Sequence, residues 1–406
     1  MKILIYGINF KPELTGIGKY SGEMSDWLSD QKHEIRVITT PPYYPDWSIK
    51  AGYSNFYNVE CENYKVYRCP VWVPNKASGI KRIFHLLSFV ISSFPVLILQ
   101  YLWKPDVVFT VEPTILCAPQ ALLLSRLSGA KSWLHIQDLE FDAAFNLGLL
   151  GLPFLKNTLM KLEAIITNKF DIVSTISNNM ISKLLKKGID KDKIFIFPNW
   201  VDVGIYAVED NLTLECRRKL NIDDNQIIAL YSGNMGQKQG LEVLVNVIDS
   251  LKNSPKITFV LCGAGVMKNY VQQHCANFTN VKFLDLQPKE LFPIFINIAD
   301  IHLLPQRREA SGLVMPSRMT AMLASGKPIV GMAEYGSDVE IILRGAGICC
   351  ISNEFTDFSN AIKLLSENPS LRSKLGLNGK LYAYENLDKE KILLSFEKKL
   401  LNIRMN

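Results

Sequence analysis

Short apolar runs rich in β-branched residues recur along the whole chain, each separated from the next by a segment of helical periodicity. That alternation narrows the fold more than any other feature. Strands joined through helices lie parallel, and a parallel sheet is stable when helices cover both its faces. In the first half the expected strands are Ile3–Gly7, Ile35–Thr39, Val66–Cys69, Val107–Val111, Ser132–Ile136, Ile172–Thr175 and Ile194–Phe197. In the second half they are Ile227–Ser232, Thr258–Cys262, Val281–Leu284, Ile301–Leu304, Ile329–Met332 and Ile348–Ile351. The fold class is therefore α/β, with two doubly wound sheets. Pro198-Asn199 and the polar cluster NIDDNQ interrupt the alternation, which puts the domain join near residue 200, with domains at 1–200 and 201–385.

A chain of 406 residues with 48% hydrophobic and 21% charged side chains has enough apolar material for two cores. Net charge is +6. That excess favours an anionic ligand or membrane surface and falls short of a nucleic-acid-binding pattern. The eight cysteines form no C-x-x-C pair and no zinc-finger spacing with histidine. Scattered thiols point to a reducing cytoplasm, and MKILIYGINF opens as a strand, not as a targeting segment. From Ile83 to Trp103 no residue is charged, a length that can cross a bilayer. His85, Ser88, Ser92 and Gln100 form a polar stripe, however, and Pro95 lies inside the run. A helix packed on a sheet and partly entering the membrane interface is expected instead of a span.

Open α/β sheets bind ligands beyond the carboxyl ends of their strands, and two such domains facing each other are expected to form a cleft there. The motifs follow strands accordingly. After the first comes NFKPELTGIGKYSGEM, in which Gly16 and Gly18 have neither dinucleotide-fingerprint nor Walker spacing. They form a loop at a helix start whose amides can face a phosphate or a sugar. HIQDLEFD closes a later strand; Asp138 there either orients and deprotonates a substrate hydroxyl or caps the next helix. In YSGNMGQKQGLE, Gly233 and Gly236 permit a tight loop, and Lys238 at the helix start makes sense if both meet one anion. After Ile301–Leu304 come Arg307, Arg308 and Glu309, then Gly312 and Leu313, then a Pro316-started helix with Ser317 and Arg318 at its tip. Lys238 and Arg318 are placed to approach one diphosphate, especially one gaining charge as a leaving group.

Taken together, YGINFKPELTGIGKYSGEM, ITTPPYYPDW, HIQD, STIS, FPNW, YSGNMGQKQGLE and MPSRMTAMLASGKP resemble the family-four retaining glycosyltransferases of the GT-B fold, colanic-acid and O-antigen type. The resemblance covers essentially the whole chain. It implies two Rossmann-like domains, a C-terminal helix at about 386–406 that crosses back to the first, acceptor binding by the first domain and nucleotide-sugar binding by the second. A UDP-linked donor is implied, held by Lys238, Gly312, Leu313, Ser317 and Arg318, with Glu309 and Asp138 as catalytic candidates and Gly16 and Gly18 on the acceptor side. The family's Glu-x7-Glu motif keeps Glu309 and has Ser317 in its second place, and Asn234 stands where the family has an arginine. Also implied are retention of configuration, no metal, N-acetyl-L-fucosamine or L-fucose as the sugar, and a lipid-diphosphate-linked acceptor. Peripheral attachment to the cytoplasmic face of the inner membrane goes with that acceptor. A nucleotide-sugar 2-epimerase of the same fold and a non-catalytic nucleotide-sugar binder are the rival readings.

Overall fold

The structure is a computed structural model that describes residues 1–13, 16–75, 79–112, 115–138, 156–307, 316–350 and 354–405. The chain divides into two compact units, Met1–Pro198 with Leu393–Asn406, and Asn199–Ile392.

The first unit holds an eight-stranded sheet made of β1 (Lys2–Tyr6), β2 (Glu34–Thr39), β3 (Asn58–Cys61), β4 (Lys65–Arg68), β5 (Val107–Val111), β6 (Lys131–Ile136), β7 (Ile172–Thr175) and β8 (Ile194–Ile196). Their order is β3-β4-β2-β1-β5-β6-β7-β8. Every pairing is parallel except β3 with β4. Strand β3 is the one strand here that the apolar pattern does not predict. It is an exposed edge that pairs antiparallel, so it carries no doubly buried run. The chain steps from β1 to β2 on one side and returns to β5 on the other, so the loops after β1 and β5 diverge at a switch point. The closing helix Lys389–Met405 inserts Phe396 against Phe197, Trp133 and Phe109 at ring distances of 4.4, 5.0 and 5.3 Å. Glu397 on the same helix meets His33 Nε2 at 2.8 Å.

The second unit holds β9 (Ile227–Ser232), β10 (Ile257–Cys262), β11 (Val281–Leu284), β12 (Ile301–Leu304), β13 (Ile329–Met332) and β14 (Gly347–Cys350), all parallel in the order β11-β10-β9-β12-β13-β14. Its switch point lies between β9 and β12. Buried side chains pack on both faces of this sheet, which is why its strands read as continuous apolar runs.

The long apolar run forms the helix Gly79–Leu99, with Pro95 inside it. Its polar stripe faces inward. His85 Nδ1 lies 2.7 Å from the Trp72 carbonyl, Ser92 Oγ donates to the Pro70 carbonyl, and Gln100, just beyond the helix, accepts from Arg36. Ile80, Phe84, Ile91 and Leu99 are on the outside, from 58% to 71% exposed. Most of these polar atoms find partners, which keeps the cost of burying them low; His85 Nε2 is buried without one among the described residues. The result is a helix whose apolar side has no protein over it among the described residues.

Candidate functional site

In the second unit the loops after β9, β10 and β12 meet through glycines. Gly233 has φ +142°, a conformation that only glycine adopts without strain, and its amide donates to the Cys262 carbonyl at 3.0 Å. A Cβ on Gly240 would stand 3.1 to 3.3 Å from backbone atoms of Gln306 and Arg307, so the turn Gln237–Gln239 lies close to the loop leaving β12. Lys238 is in that turn; the structure describes its backbone and not its side chain.

Arg318, the first residue of the short helix Arg318–Ala324, reaches this same place. A Cβ on Gly233 would stand 3.2 Å from its Cδ, and its guanidinium sits 4.9 Å from the centre of the Tyr231 ring. Nη2 donates to the Pro305 carbonyl at 3.0 Å. Nε and Nη1 are buried and have no hydrogen-bond partner among the described residues. A buried guanidinium with two idle donors costs several kcal/mol in most settings, and the ring quadrupole under it offsets about 1–2 kcal/mol. An anion reaching them would satisfy both. Ser317 precedes the helix in αR conformation and makes no side-chain cap. With only one and a half to two turns behind it, the helix contributes less positive potential than the arginine does.

Of the other expected donor residues, Glu309, Gly312 and Leu313 lie outside the described residues, as does Arg308. Arg307 is ion-paired with Glu242 at the start of the helix Leu241–Leu251, which gives it a local structural partner. Tyr231 was not a sequence candidate. An aromatic residue inside a buried strand reads as core, and only the fold shows that Arg318 lies across it.

In the first unit, Gly16 begins the helix Gly16–Asp30 at φ +63° with nothing within 4 Å of where its Cβ would be. Gly18 is different. It is buried, and a Cβ there would stand 2.5 Å from Glu13 Oε2 and 3.0 Å from the Phe10 carbonyl. Gly18 is therefore the seat of Glu13 and does not present an open surface to a ligand. His135 is also a core residue: it stacks beside Phe109 and Phe197, with Ser174 Oγ at 2.9 Å and Gln137 Nε2 at 3.1 Å. Burial pushes its imidazole down to about 3, so it stays neutral. Asp138, at the end of β6, is half-buried. Burial and then the Asp138 charge raise the Tyr44 phenol above its ordinary range.

Glu13 is buried, and burial pushes its carboxyl up to about 7 from 4.5. Hydrogen bonds from Tyr44 N, Asn9 and Tyr43 N and the Arg68 charge act in the opposite direction. A raised carboxyl in the folded state contributes stability that is complete below the unfolded value and lost as pH rises through 7, because the native state keeps a proton the unfolded chain has released. Wild type should therefore lose about 3 kcal/mol more than Glu13→Gln between roughly pH 4.5 and pH 8. Thermal unfolding across that range checks this; parallel stability curves for the two proteins would contradict it.

Comparison with known proteins bears on both units. Residues 15–200 match the model of a glycosyl transferase 4-like domain, and residues 213–382 match that of glycosyl transferases group 1. The chain is 40% identical over 98% of its length to 98% of the putative colanic acid biosynthesis glycosyl transferase WcaI of Escherichia coli K12. The chain belongs to the group 1 glycosyltransferases. Among solved structures it is similar to sucrose-phosphate synthase from Thermosynechococcus elongatus, with TM-score 0.78, 15% identity and 99% of each chain covered. It is also similar to Anabaena HepE in complex with UDP, with TM-score 0.70, 14% identity, 99% of this chain and 100% of that one. At these identities the structural likenesses show the shared GT-B fold of two Rossmann-like domains. Within this glycosyltransferase, Asn234 takes the place expected of an arginine, and Arg318 brings a guanidinium against the adjacent Gly233.

Proposed function

We propose that this glycosyltransferase moves a sugar, N-acetyl-L-fucosamine or L-fucose, with retention of configuration from a UDP-linked donor to a lipid-diphosphate-linked sugar during O-antigen or exopolysaccharide synthesis. The observation that carries this reading is Arg318, whose buried Nε and Nη1 lack partners among the described residues, beside Gly233 at the sheet's switch point. There the arginine and Lys238 neutralise the diphosphate as it departs, with Ser317 beside it and Gly312 and Leu313 along the donor. No metal is invoked, since the two cations supply the charge. The departing diphosphate oxygen takes the acceptor proton, Glu309 positions the donor sugar, and Asp138 with Gly16 orients the acceptor hydroxyl. The colanic-acid role named for the Escherichia coli relative and the UDP held by the Anabaena protein support the pathway and the base.

The enzyme acts at the cytoplasmic face of the inner membrane. The outward apolar side of helix Gly79–Leu99 supports this, as does the lack of any acid between Glu62 and Asp106, where Lys81, Arg82 and Lys104 flank the apolar stretch. The polar stripe is bonded to the segment that follows β4, so the helix lies on the bilayer and does not cross it. The test is incubation with UDP-N-acetyl-L-fucosamine, with and without a lipid-diphosphate N-acetylglucosamine acceptor. Disaccharide-lipid formed only with acceptor is the expected product. A free epimerised nucleotide sugar formed without acceptor would establish the epimerase reading instead.

A further inference from the structure

We propose that Glu13 is a positioning residue that fixes the Tyr43–Trp47 loop, the aromatic part of the acceptor site; this rests on assigning the acceptor to the first unit. One carboxyl group joins two loops. Its Oε1 accepts from the amides of Tyr43 and Tyr44, at 3.3 and 3.2 Å, and its Oε2 accepts from Asn9 Nδ2 at 3.0 Å. The contact is built in from the far side as well, because Gly18 leaves room for Glu13 where any Cβ would strike it. Arg68 closes the same junction, donating to the carbonyls of Thr40 at 2.8 Å and Lys11 at 2.9 Å while Glu60 holds its other edge.

The loop so held carries the half-buried Trp47, backed by the buried rings of Tyr43 and His85. The Tyr43 ring lies 5.6 Å from Trp47 and 4.7 Å from His85, and Trp47 lies 5.2 Å from His85. Trp47 has φ +52°, a left-handed conformation that costs a non-glycine residue about 1 kcal/mol and so depends on what surrounds it. Tyr44, whose amide Glu13 binds, is exposed on the same loop, and after burial the Asp138 charge raises its phenol. Aromatic faces and a carboxylate at strand ends are the usual elements of a sugar subsite, the rings stacking on the C–H face and the carboxylate taking a hydroxyl. Glu13 touches no part of such a sugar. It sets where Trp47 stands.

Glu13→Ala should raise the acceptor KM on the order of tenfold while leaving the donor KM within about twofold, since small misplacements of positioning groups are costly. Glu13→Gln keeps an oxygen for the two tyrosine amides, and Asn9 accepts from the new amide once its own amide turns over, so it should restore most of the acceptor affinity. If Glu13→Ala does not fold, Gly18→Ala serves instead, because its methyl displaces a carboxyl group that is chemically intact. Hydrogen exchange of the Tyr43 and Tyr44 amides gives a readout independent of transfer. Lost protection in Glu13→Ala together with the raised acceptor KM supports the proposal. Unchanged protection overturns it. Lost protection with an unchanged acceptor KM overturns the acceptor role of the loop while leaving the donor site of the second unit unaffected.

Discussion

Replacing Arg318 with alanine is expected to lower kcat/KM by about 10²-fold or more, the usual effect of removing one group that stabilises charge in a transition state. The expectation follows from the guanidinium's surroundings. One nitrogen is bonded to the Pro305 carbonyl, which fixes the side chain, and two others are buried without partners among the described residues. Glycine at 233 lets the side chain lie close to the loop after β9. Arg318→Lys keeps the charge but loses the planar fork, so it should recover only part of the activity. Lys238→Ala should be similarly damaging. If both cations serve one diphosphate, the double variant should fall less than the two single losses multiplied together. Thermal unfolding of each variant separates a chemical effect from a folding one, and near-normal turnover in folded Arg318→Ala would remove the diphosphate role.

The second large effect concerns the helix Gly79–Leu99. Phe84→Glu with Ile91→Glu replaces two outward apolar side chains, 58% and 71% exposed, by charges that an anionic surface repels. Each buried apolar side chain of this size is worth about 1.5–3 kcal/mol on leaving water. The pair should therefore weaken binding to phosphatidylglycerol vesicles on the order of a hundredfold or more. Turnover on a water-soluble acceptor analogue should be retained, since the inward polar stripe is untouched. Sedimentation of the double variant with vesicles as efficiently as wild type would exclude this face as the membrane contact. Added salt should weaken wild-type binding only in part, because the apolar share is not screened.

The strands were legible because doubly covered parallel strands leave unbroken apolar runs, from Ile3 through Cys350. Strand β3 was not, being a four-residue edge with water on its outer side. The stripe of His85, Ser88, Ser92 and Gln100 was legible as a stripe. Which way it faces depends on acceptors distant in sequence, such as the carbonyls of Pro70 and Trp72. Arg318 could be picked out as a cation at a helix start. Its place across the Tyr231 ring depends on two strands that become neighbours only in the sheet. Glu13 gave no sign at all. A glutamate between proline and a glycine-rich stretch reads as a solvated loop charge, and only the seat at Gly18 and the amides of Tyr43 and Tyr44 bury it.

Calorimetric titration of the folded protein with UDP and with uridine most directly tests whether Arg318 holds a diphosphate. Wild type should bind UDP at least about tenfold more tightly than uridine, and Arg318→Ala should lose most of that preference. Equal affinity of wild type for the two ligands, or an undiminished preference for UDP in Arg318→Ala, would contradict it.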